Sequence, residues 1–498
     1  MNLANILRHH ARRRPGHPAI VARDRTWNWR QFDQAVDLAT LRLLGRGVKP
    51  GDVVGLALGD TPEHLAFLFG IARAGAIILP MDKRWTEAEK ERVVVHFGVR
   101  LTLVDKGDAM LEGSPCEAVE FPMDVEAPLS GAVPESPDAD DQRLLLSLSS
   151  GNTGRPKGPC LTHANMYHRF LIYHITLTFT EHDRFACASP MYFSGSRGFT
   201  MCALHCGATV VLLPPPVSPK KLIAEVKDYG CTNAFIVPTI IRRLIDAHEG
   251  EGPCFPDLRV LISTGAALFP EDRELALKRI TPNIINFYGS AEGGGISALT
   301  AAHPASKARS AGAIVYGTDV RVLDENFKDL PRGSIGRISY RSSGTAREFY
   351  NDPEASMSAF RDGWYLPGDL GYVDEDGFVY ITGREKDMII RGGANVYPNE
   401  IESVLLTHAD VAEAAVVGAP SAEFGEEIVA FVTTRSKIDP ARLRDLCAAQ
   451  LAPYKVPKVI SVLGEMPRTN VGKIDKQRLR AGLAAADGAA QKVAEKQP

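Results

Sequence analysis

Apolar residues recur along most of this chain in two alternating rhythms. From the N-terminus to about residue 380, helical patterns alternate with short apolar runs such as Val53-Val54-Gly55-Leu56-Ala57-Leu58 and Thr209 to Leu213. This alternation predicts βα units and largely parallel sheets. The opening MNLANILRHHARRRPGHPAIV is Arg-rich and short of acids, as transit peptides are, but it reads as a surface helix followed by a strand around Ala19 to Val21. The most apolar stretch, Leu65 to Leu79, contains Arg73. It is too short for the roughly 20 residues of a membrane span and predicts a buried helix and then a strand. A strand at Leu144 to Leu148 runs into Ser149-Ser150-Gly151-Asn152-Thr153-Gly154-Arg155-Pro156-Lys157-Gly158, and a helix is predicted over Thr162 to Phe170.

Around Gly333 to Ile338 and Gly371 to Thr382 the rhythm changes to short alternating strands separated by Gly, Asp and Asn, which predicts a smaller antiparallel, barrel-like subdomain. Charged Arg384-Glu385-Lys386-Asp387 follows, and a new helix and strand rhythm starts near Asn399. The expected organisation is α/β: a large N-terminal domain of helix-flanked sheets over 1–385, and a smaller, mobile α+β domain over 386–480. The tail 481–498, AGLAAADGAAQKVAEKQP, has too few large apolar groups to offset the entropy of ordering and is expected to be loose.

Length and charge narrow the picture. The 498 residues exceed the roughly 250 to 300 at which single cores stop growing, so at least two domains are expected. A formal net charge of -3 with both signs scattered provides no concentrated basic face, and a nucleic-acid partner is not expected. The eight cysteines, at 116, 160, 187, 202, 206, 231, 254 and 447, lack zinc-site spacing and disulfide density. They read as reduced thiols of a cytoplasmic protein. No transmembrane segment is expected.

The chemistry starts at the glycine-rich loop. Ser150, Gly151, Thr153, Gly154 and Lys157 combine backbone N–H groups, hydroxyls and an ammonium, a composition that wraps phosphate oxygens. Lys157 is followed by Gly158, so the spacing is not that of a P-loop NTPase. Taken alone, the loop also fits a surface turn.

Six segments in order decide between these readings: Ser149 to Gly158, Tyr288-Gly289-Ser290-Ala291-Glu292, Gly368-Asp369-Leu370, Gly383-Arg384-Glu385-Lys386-Asp387, Gly392-Gly393-Ala394-Asn395-Val396-Tyr397-Pro398-Asn399-Glu400-Ile401-Glu402, and Pro467-Arg468-Thr469-Asn470-Val471-Gly472-Lys473. Each resembles a signature of the acyl-adenylate-forming superfamily of acyl-CoA synthetases, luciferases and peptide-synthetase adenylation domains. The resemblance runs from about Leu7 to Arg480. It implies an ATP-dependent acid-CoA ligase, in which acid and ATP give acyl-AMP and pyrophosphate, and acyl-AMP and coenzyme A then give acyl-CoA and AMP.

By the same resemblance the loop around Thr153, Gly154 and Lys157 holds the β and γ phosphates. Tyr288 stacks on adenine beside Gly289, and Thr264-Gly265-Ala266-Ala267 forms the adenine-side loop. Glu292, with Thr153, would hold Mg²⁺, a hard ion suited to carboxylate oxygen. Asp369 would accept both ribose hydroxyls, Arg384 would contact the nucleotide, and Lys386 occupies the hinge position. Lys473, with Glu292, is the catalytic candidate, because a lysine touching the carboxylate and the α-phosphate offsets their repulsion. Gly392 and Gly393 would line the tunnel for coenzyme A in a second conformation. Small-molecule acid, ATP and coenzyme A are the expected partners, with no prosthetic group, in a monomer or homodimer.

Two positions depart from the pattern: Asn152 replaces a hydroxyl residue in the phosphate loop, and Ala291 replaces Thr in the adenine motif. The acid pocket is expected at Phe193, Ser194, Gly195, Thr264, Gly289 and Gly294, with Gly289 and Gly293 to Gly295 leaving room for a flat ring or slender chain. Ser194 stands where amino-acid-activating relatives have Asp, so a free amino acid is not expected, since its ammonium would be desolvated unpaired. Phe287 stands where malonate-activating relatives have Arg. Arg197 reads as an exposed arginine, with anchorage of a second carboxylate as the alternative. An aromatic or a short- to medium-chain monocarboxylic acid is the expected substrate. The alternatives are a free-standing adenylate-former that loads an acyl-carrier protein, and a non-catalytic nucleotide- or acyl-binding relative.

Overall fold

The computed structural model describes residues 2–108, 115–120, 123–134, 140–148, 156–421, 423–469 and 473–483. The chain divides into two compact units. Met1–Leu268, Asp272–Val320 and Ser339–Leu366 form the first, and Phe269–Glu271, Arg321–Ile338 and Pro367–Pro498 the second.

The first unit is built on parallel strands, as the alternating pattern predicts. One sheet runs in the order Cys116–Val119, Val99–Asp105, Val53–Ala57, Ile77–Pro80, Arg143–Leu146, Cys160–Thr162. Only its last pair is antiparallel. Every residue of Val53–Ala57 and Ile77–Pro80 is buried, which explains why these strands read as continuous apolar runs and not as alternating ones. Elsewhere in the unit Ile284–Ser290, Val260–Ser263, Asn233–Phe235, Arg184–Cys187, Thr209–Leu212 and Pro18–Val21 lie side by side, all parallel. Gly294–Leu299 folds back antiparallel on Ile284–Ser290.

The apolar stretch containing Arg73 becomes the helix Pro62–Arg73 and the strand Ile77–Pro80. Thr61 caps the helix by accepting from His64 N–H, and Pro62 fills the first position, where no N–H is needed. All twelve helical residues are buried. A Cβ on Gly70 would lie 2.9 Å from Ala39 Cβ, so the glycine allows close approach of the helix Trp29–Gly45. Arg73 is fully buried there and pairs with Asp33 and Asp37 at 2.6 Å each. It also donates to the Ala4 carbonyl at 3.1 Å.

In the second unit Asp369–Val373 pairs antiparallel with Phe378–Arg384, and Gly371 and Leu370 pair with Gly336 and Arg337. This is the antiparallel segment that the sequence assigns to 1–385. Its cross-strand pairing with 336–337 puts it in the second unit, whose edge falls between Leu366 and Pro367. The tight hairpin of Ile389–Arg391 and Ala394–Val396 turns through Gly392 and Gly393, with φ of 57° and 82°. Two successive positive φ values define a turn that glycine enters without strain. Val411–Ser421 and Gly425–Thr434 pair antiparallel, and Val459–Val462 adds in parallel. The helices Pro398–Leu406 and Pro440–Gln450 contribute Ile401, Leu405 and Leu443 to a core with Val416 and Ile428.

All eight cysteines are free. Among the described residues no helix is long and apolar enough to cross a membrane. Of the tail expected to be loose, 484–498 lie outside the described residues.

Arg73 provides the first prediction. Burial already raises the pKa of Asp33 against the pull of Arg73. Replacing Arg73 by Met leaves Asp33 and Asp37 with only Arg8, 3.2 Å from Asp37, as counter-charge among the described residues, which costs about 3 kcal/mol at neutral pH. Urea denaturation of Arg73→Met should show this loss, and the loss should shrink as pH falls, because the stranded carboxyls can then take up protons. A change in stability below about 0.5 kcal/mol, typical of a surface substitution, would contradict the role given to the cluster.

Candidate active site

In a sheet of parallel strands every carboxyl end lies on one edge, and loops at that edge are where ligands bind. The segments singled out in the first unit grow from such ends. Met191 to Phe193 follow Arg184–Cys187, Thr264 to Ala267 follow Val260–Ser263, and Ala291 to Gly293 follow Ile284–Ser290. Gly265 has a φ of 94°, and Gly265, Ala266 and Ala267 are exposed, so a flat group can approach this backbone.

Of the phosphate loop, Ser150, Gly151, Asn152, Thr153 and Gly154 lie outside the described residues. Beyond it, Lys157 Nζ sits 5.4 Å from the centre of the Phe349 ring. Pro159 bridges to Phe349, and the Gly158 carbonyl accepts Tyr350 N–H at 2.8 Å. The helix that follows is His163–Leu177, longer than predicted, with Thr162 and Asn165 in a reciprocal capping box.

The turn from Tyr288 to Glu292 is held through its backbone. Arg169, buried on that helix, donates to the carbonyls of Gly344 at 2.7 Å, Ala291 at 3.0 Å and Glu292 at 2.8 Å. Ala346 N–H adds a second bond to the Glu292 carbonyl at 2.8 Å. The Glu292 carboxylate itself makes no hydrogen bond or ion pair among the described residues, so an acid on a fixed turn is left to meet a cation. Ala291 takes part through its carbonyl, and nothing in the turn replaces the missing hydroxyl. Sequence reasoning missed Arg169. Its one visible signal is an arginine seven residues after the Thr162 cap, among the apolar positions of an amphipathic helix.

The glycines expected to leave room for substrate adjoin the protein's own rings, backbone and Arg169. A Cβ on Gly293 would overlap the ring and hydroxyl of Tyr340, and one on Gly295 would overlap the Phe287 ring. On Gly289 it would lie 2.5 Å from the Gly294 carbonyl oxygen, and on Gly294 3.2 Å from Arg169 Nε. Tyr340 also bonds Ser290 Oγ at 2.8 Å, and Ser290 Oγ accepts Gly293 N–H at 2.9 Å. Beside these glycines lies a cluster of buried rings: Tyr173 and Phe199 have ring centres 4.9 Å apart, Tyr173 and Phe287 5.7 Å, and Phe199 and Phe235 5.3 Å. A Cβ on Gly195 would lie 3.5 Å from the Phe235 ring.

Phe193 is the N-cap of the helix Ser194–Cys206, and groups from carboxyl ends of the other sheet fix the segment before it. Asp60 accepts Met191 N–H at 2.9 Å, and Arg84, paired with buried Asp82, donates to the Tyr192 hydroxyl at 2.6 Å. Arg197 is buried, which overturns the expectation of an exposed arginine. Its Nη1 donates to the carbonyls of Met191 at 3.2 Å and Tyr192 at 2.8 Å, and its Nη2 to Ser147 Oγ at 2.8 Å. Three of its five N–H groups are thus turned to protein oxygens, and Nε is buried without a hydrogen-bond partner among the described residues. Burial pushes the Asp60 carboxyl up to about 6 and brings His64 down to about 4. It also brings Arg197 down to about 9, with nearby Arg169 adding to the effect.

The second unit carries its own group of candidates. Asp369, buried, pairs with half-exposed Arg384 at 2.6 Å, the two standing opposite each other in register. Arg384 also donates to the Pro367 carbonyl at 3.1 Å. Lys386 lies in the short 3-10 turn Glu385–Asp387, and its pKa is lowered chiefly by burial. Arg480 anchors that turn through Asp387 at 2.8 Å. Gly392 N–H donates to the Phe424 carbonyl at 2.8 Å. Lys473 is exposed, and its carbonyl accepts Thr469 N–H at 2.8 Å.

Known proteins resemble this chain over most of its length. Residues 7–350 match the model of the AMP-binding enzyme family, and 400–473 match that of the AMP-binding enzyme C-terminal domain. The chain is 32% identical over 470 residues to the sulfoacetate-CoA ligase of Cupriavidus necator, covering 89% of this chain and 91% of that one. It is 30% identical over 495 residues to the 2-succinylbenzoate-CoA ligase of Bacillus licheniformis, covering 96% and 100%. The crystal structure of ATP-bound MatB from Rhodopseudomonas palustris is similar at a TM-score of 0.86 and 27% identity, over 97% of this chain and 99% of that one.

The packing around the Glu292 turn is testable. In Gly293→Ala the new methyl has to displace the Tyr340 ring and break its bond to Ser290, at a cost of about 1 to 3 kcal/mol. Tyr340→Phe, which loses only the hydroxyl, should cost about 1 kcal/mol. Denaturant midpoints of the two variants test the order, and a Gly293→Ala protein as stable as the parent would contradict it.

Proposed function

The chain belongs to the AMP-binding enzyme family, and on that premise we propose that it is an AMP-forming acid-thiol ligase. In the first step a carboxylate oxygen attacks the α-phosphorus of ATP, and the bond to the β-phosphate breaks to release pyrophosphate. In the second, a thiol sulfur attacks the acyl carbon, AMP leaves, and the thiol proton is lost. The observation that carries this reading is the Tyr288–Glu292 turn: its backbone is fixed by Arg169 and Ala346, and its one acid has no partner among the described residues.

The proposed roles follow from side-chain chemistry. Lys157, with Ser150, Gly151, Thr153 and Gly154, binds the terminal phosphates. Tyr288 and Gly289 pack on adenine opposite the exposed loop of Gly265, Ala266 and Ala267, and Asp369 accepts the ribose hydroxyls. Arg384, which pairs with Asp369, contacts the nucleotide. Glu292, with Thr153, would hold a Mg²⁺, whose charge would screen the phosphates. Lys473 offsets the repulsion between the two anions as they join, and Lys386 is the hinge. The Gly392-Gly393 turn has no side chain to obstruct the slender pantetheine arm of coenzyme A.

Coenzyme A is the proposed acceptor, and a carrier-protein pantetheine would use the same second step. The acids in the two relatives' names, sulfoacetate and 2-succinylbenzoate, are those proteins' substrates. For this chain the ring cluster of Tyr173, Phe199, Phe235 and Phe287 and the engaged N–H groups of Arg197 favour an aromatic or short monocarboxylic acid. Phe193, Ser194, Gly195 and Thr264 border the acid.

The test separates the half-reactions. Lys473→Ala should lower acid-dependent pyrophosphate release by roughly a hundredfold, on the order of 3 kcal/mol of transition-state stabilisation. Thioester formation from chemically prepared acyl-AMP and coenzyme A should persist in the same protein. Equal loss of both rates in a well-folded variant would remove Lys473 from the adenylation step.

A further inference from the structure

Burying a guanidinium without an acid beside it is expensive, and a methionine of similar volume fills such a space without the desolvation cost. Among the described residues no carboxylate pairs with Arg197, and its charged neighbour is another arginine, Arg169. What the side chain gains is a span. One terminal nitrogen holds the carbonyls of Met191 and Tyr192, and the other holds Ser147 Oγ, fifty residues away.

Ser147 is itself a link. Its backbone N–H donates to the Pro159 carbonyl at 3.3 Å, and Pro159 bridges to Phe349, the ring beneath the Lys157 ammonium. A continuous set of bonds therefore joins the Met191–Phe193 segment through Arg197 and Ser147 to the segment that carries Lys157. Arg84 and Asp60 bind the same segment at Tyr192 and Met191.

Resting on the ligase reading, we propose that Arg197 is a positioning residue for the first half-reaction, holding the acid-binding segment in register with the lysine of the phosphate loop. It touches neither acid nor ATP. Its effect is geometric: the carboxylate has to approach the α-phosphorus in line, and a displacement of about 1 Å is enough to cost roughly a hundredfold in rate. The second half-reaction, in which pyrophosphate has already left, does not depend on that register.

The experiment uses Arg197→Met and Ser147→Ala, singly and combined, in the full chain. Pyrophosphate release is measured over ranges of acid and ATP, beside thioester formation from supplied acyl-AMP. In Arg197→Met, kcat/KM for the acid should fall by about tenfold to a hundredfold, with the KM for ATP also raised. Thioester formation should stay near the wild-type rate, and Arg197→Lys, which keeps three donors, should recover part of the loss. Ser147→Ala should weaken pyrophosphate release in the parent and add nothing in the Arg197→Met background, the mark of a shared path. Additive effects, a silent Ser147→Ala, or equal loss of both half-reactions would overturn the role. Should Arg197→Met fail to fold, the Ser147→Ala and Arg197→Lys proteins decide by the same readouts. A wild-type protein that releases no pyrophosphate with any acid would instead overturn the ligase reading, and this role with it.

Discussion

A parallel strand must end with its carbonyl edge on the same side as its neighbours, and much of the first unit's site depends on that constraint. The acid segment, the small-residue loop and the Tyr288–Glu292 turn all leave such ends. Asp60, Arg84 and Ser147, which hold the acid segment, leave the corresponding ends of the other sheet. The site is therefore assembled from loops, while its precision comes from strands buried on both faces and unable to shift without opening a close-packed core.

Loops placed this way need polar anchors, since they lack the ladder that fixes a strand. Three buried arginines supply them by different means. Arg73 is neutralised by Asp33 and Asp37 and ties a helix to its neighbour. Arg169 and Arg197 hydrogen-bond to no carboxylate and end on carbonyls and a hydroxyl, fixing backbone, with the Glu292 charge near Arg169. In both cases the guanidinium's fork reaches elements that no short side chain could join.

What was legible in the sequence follows from range. The strands at Val53 and Thr209 and the buried helix at Leu65 are local patterns, and the period of apolar residues reports them directly. The order of the motifs conveyed the family. The partners of Arg169 lie 122 to 175 residues away, and one of the three partners of Arg197 lies fifty away, so no local pattern announces these ties. The run of glycines at 293–295 reads in the sequence as room for a flat ring or slender chain, and a Cβ there would meet Tyr340, Arg169 and Phe287. The boundary between units depends on the pairing of Gly371 with Gly336, a contact invisible in chain order.

The central claim is that the acid is joined to AMP before it reaches a thiol. The direct measurement is to supply an accepted acid with both carboxylate oxygens labelled with ¹⁸O, together with ATP and coenzyme A, and to analyse the nucleotide product by mass spectrometry. Acyl-adenylate chemistry leaves one labelled oxygen in the phosphate of AMP, with unlabelled pyrophosphate as the other product. Label in inorganic phosphate with formation of ADP would mean an acyl-phosphate route and would contradict the account.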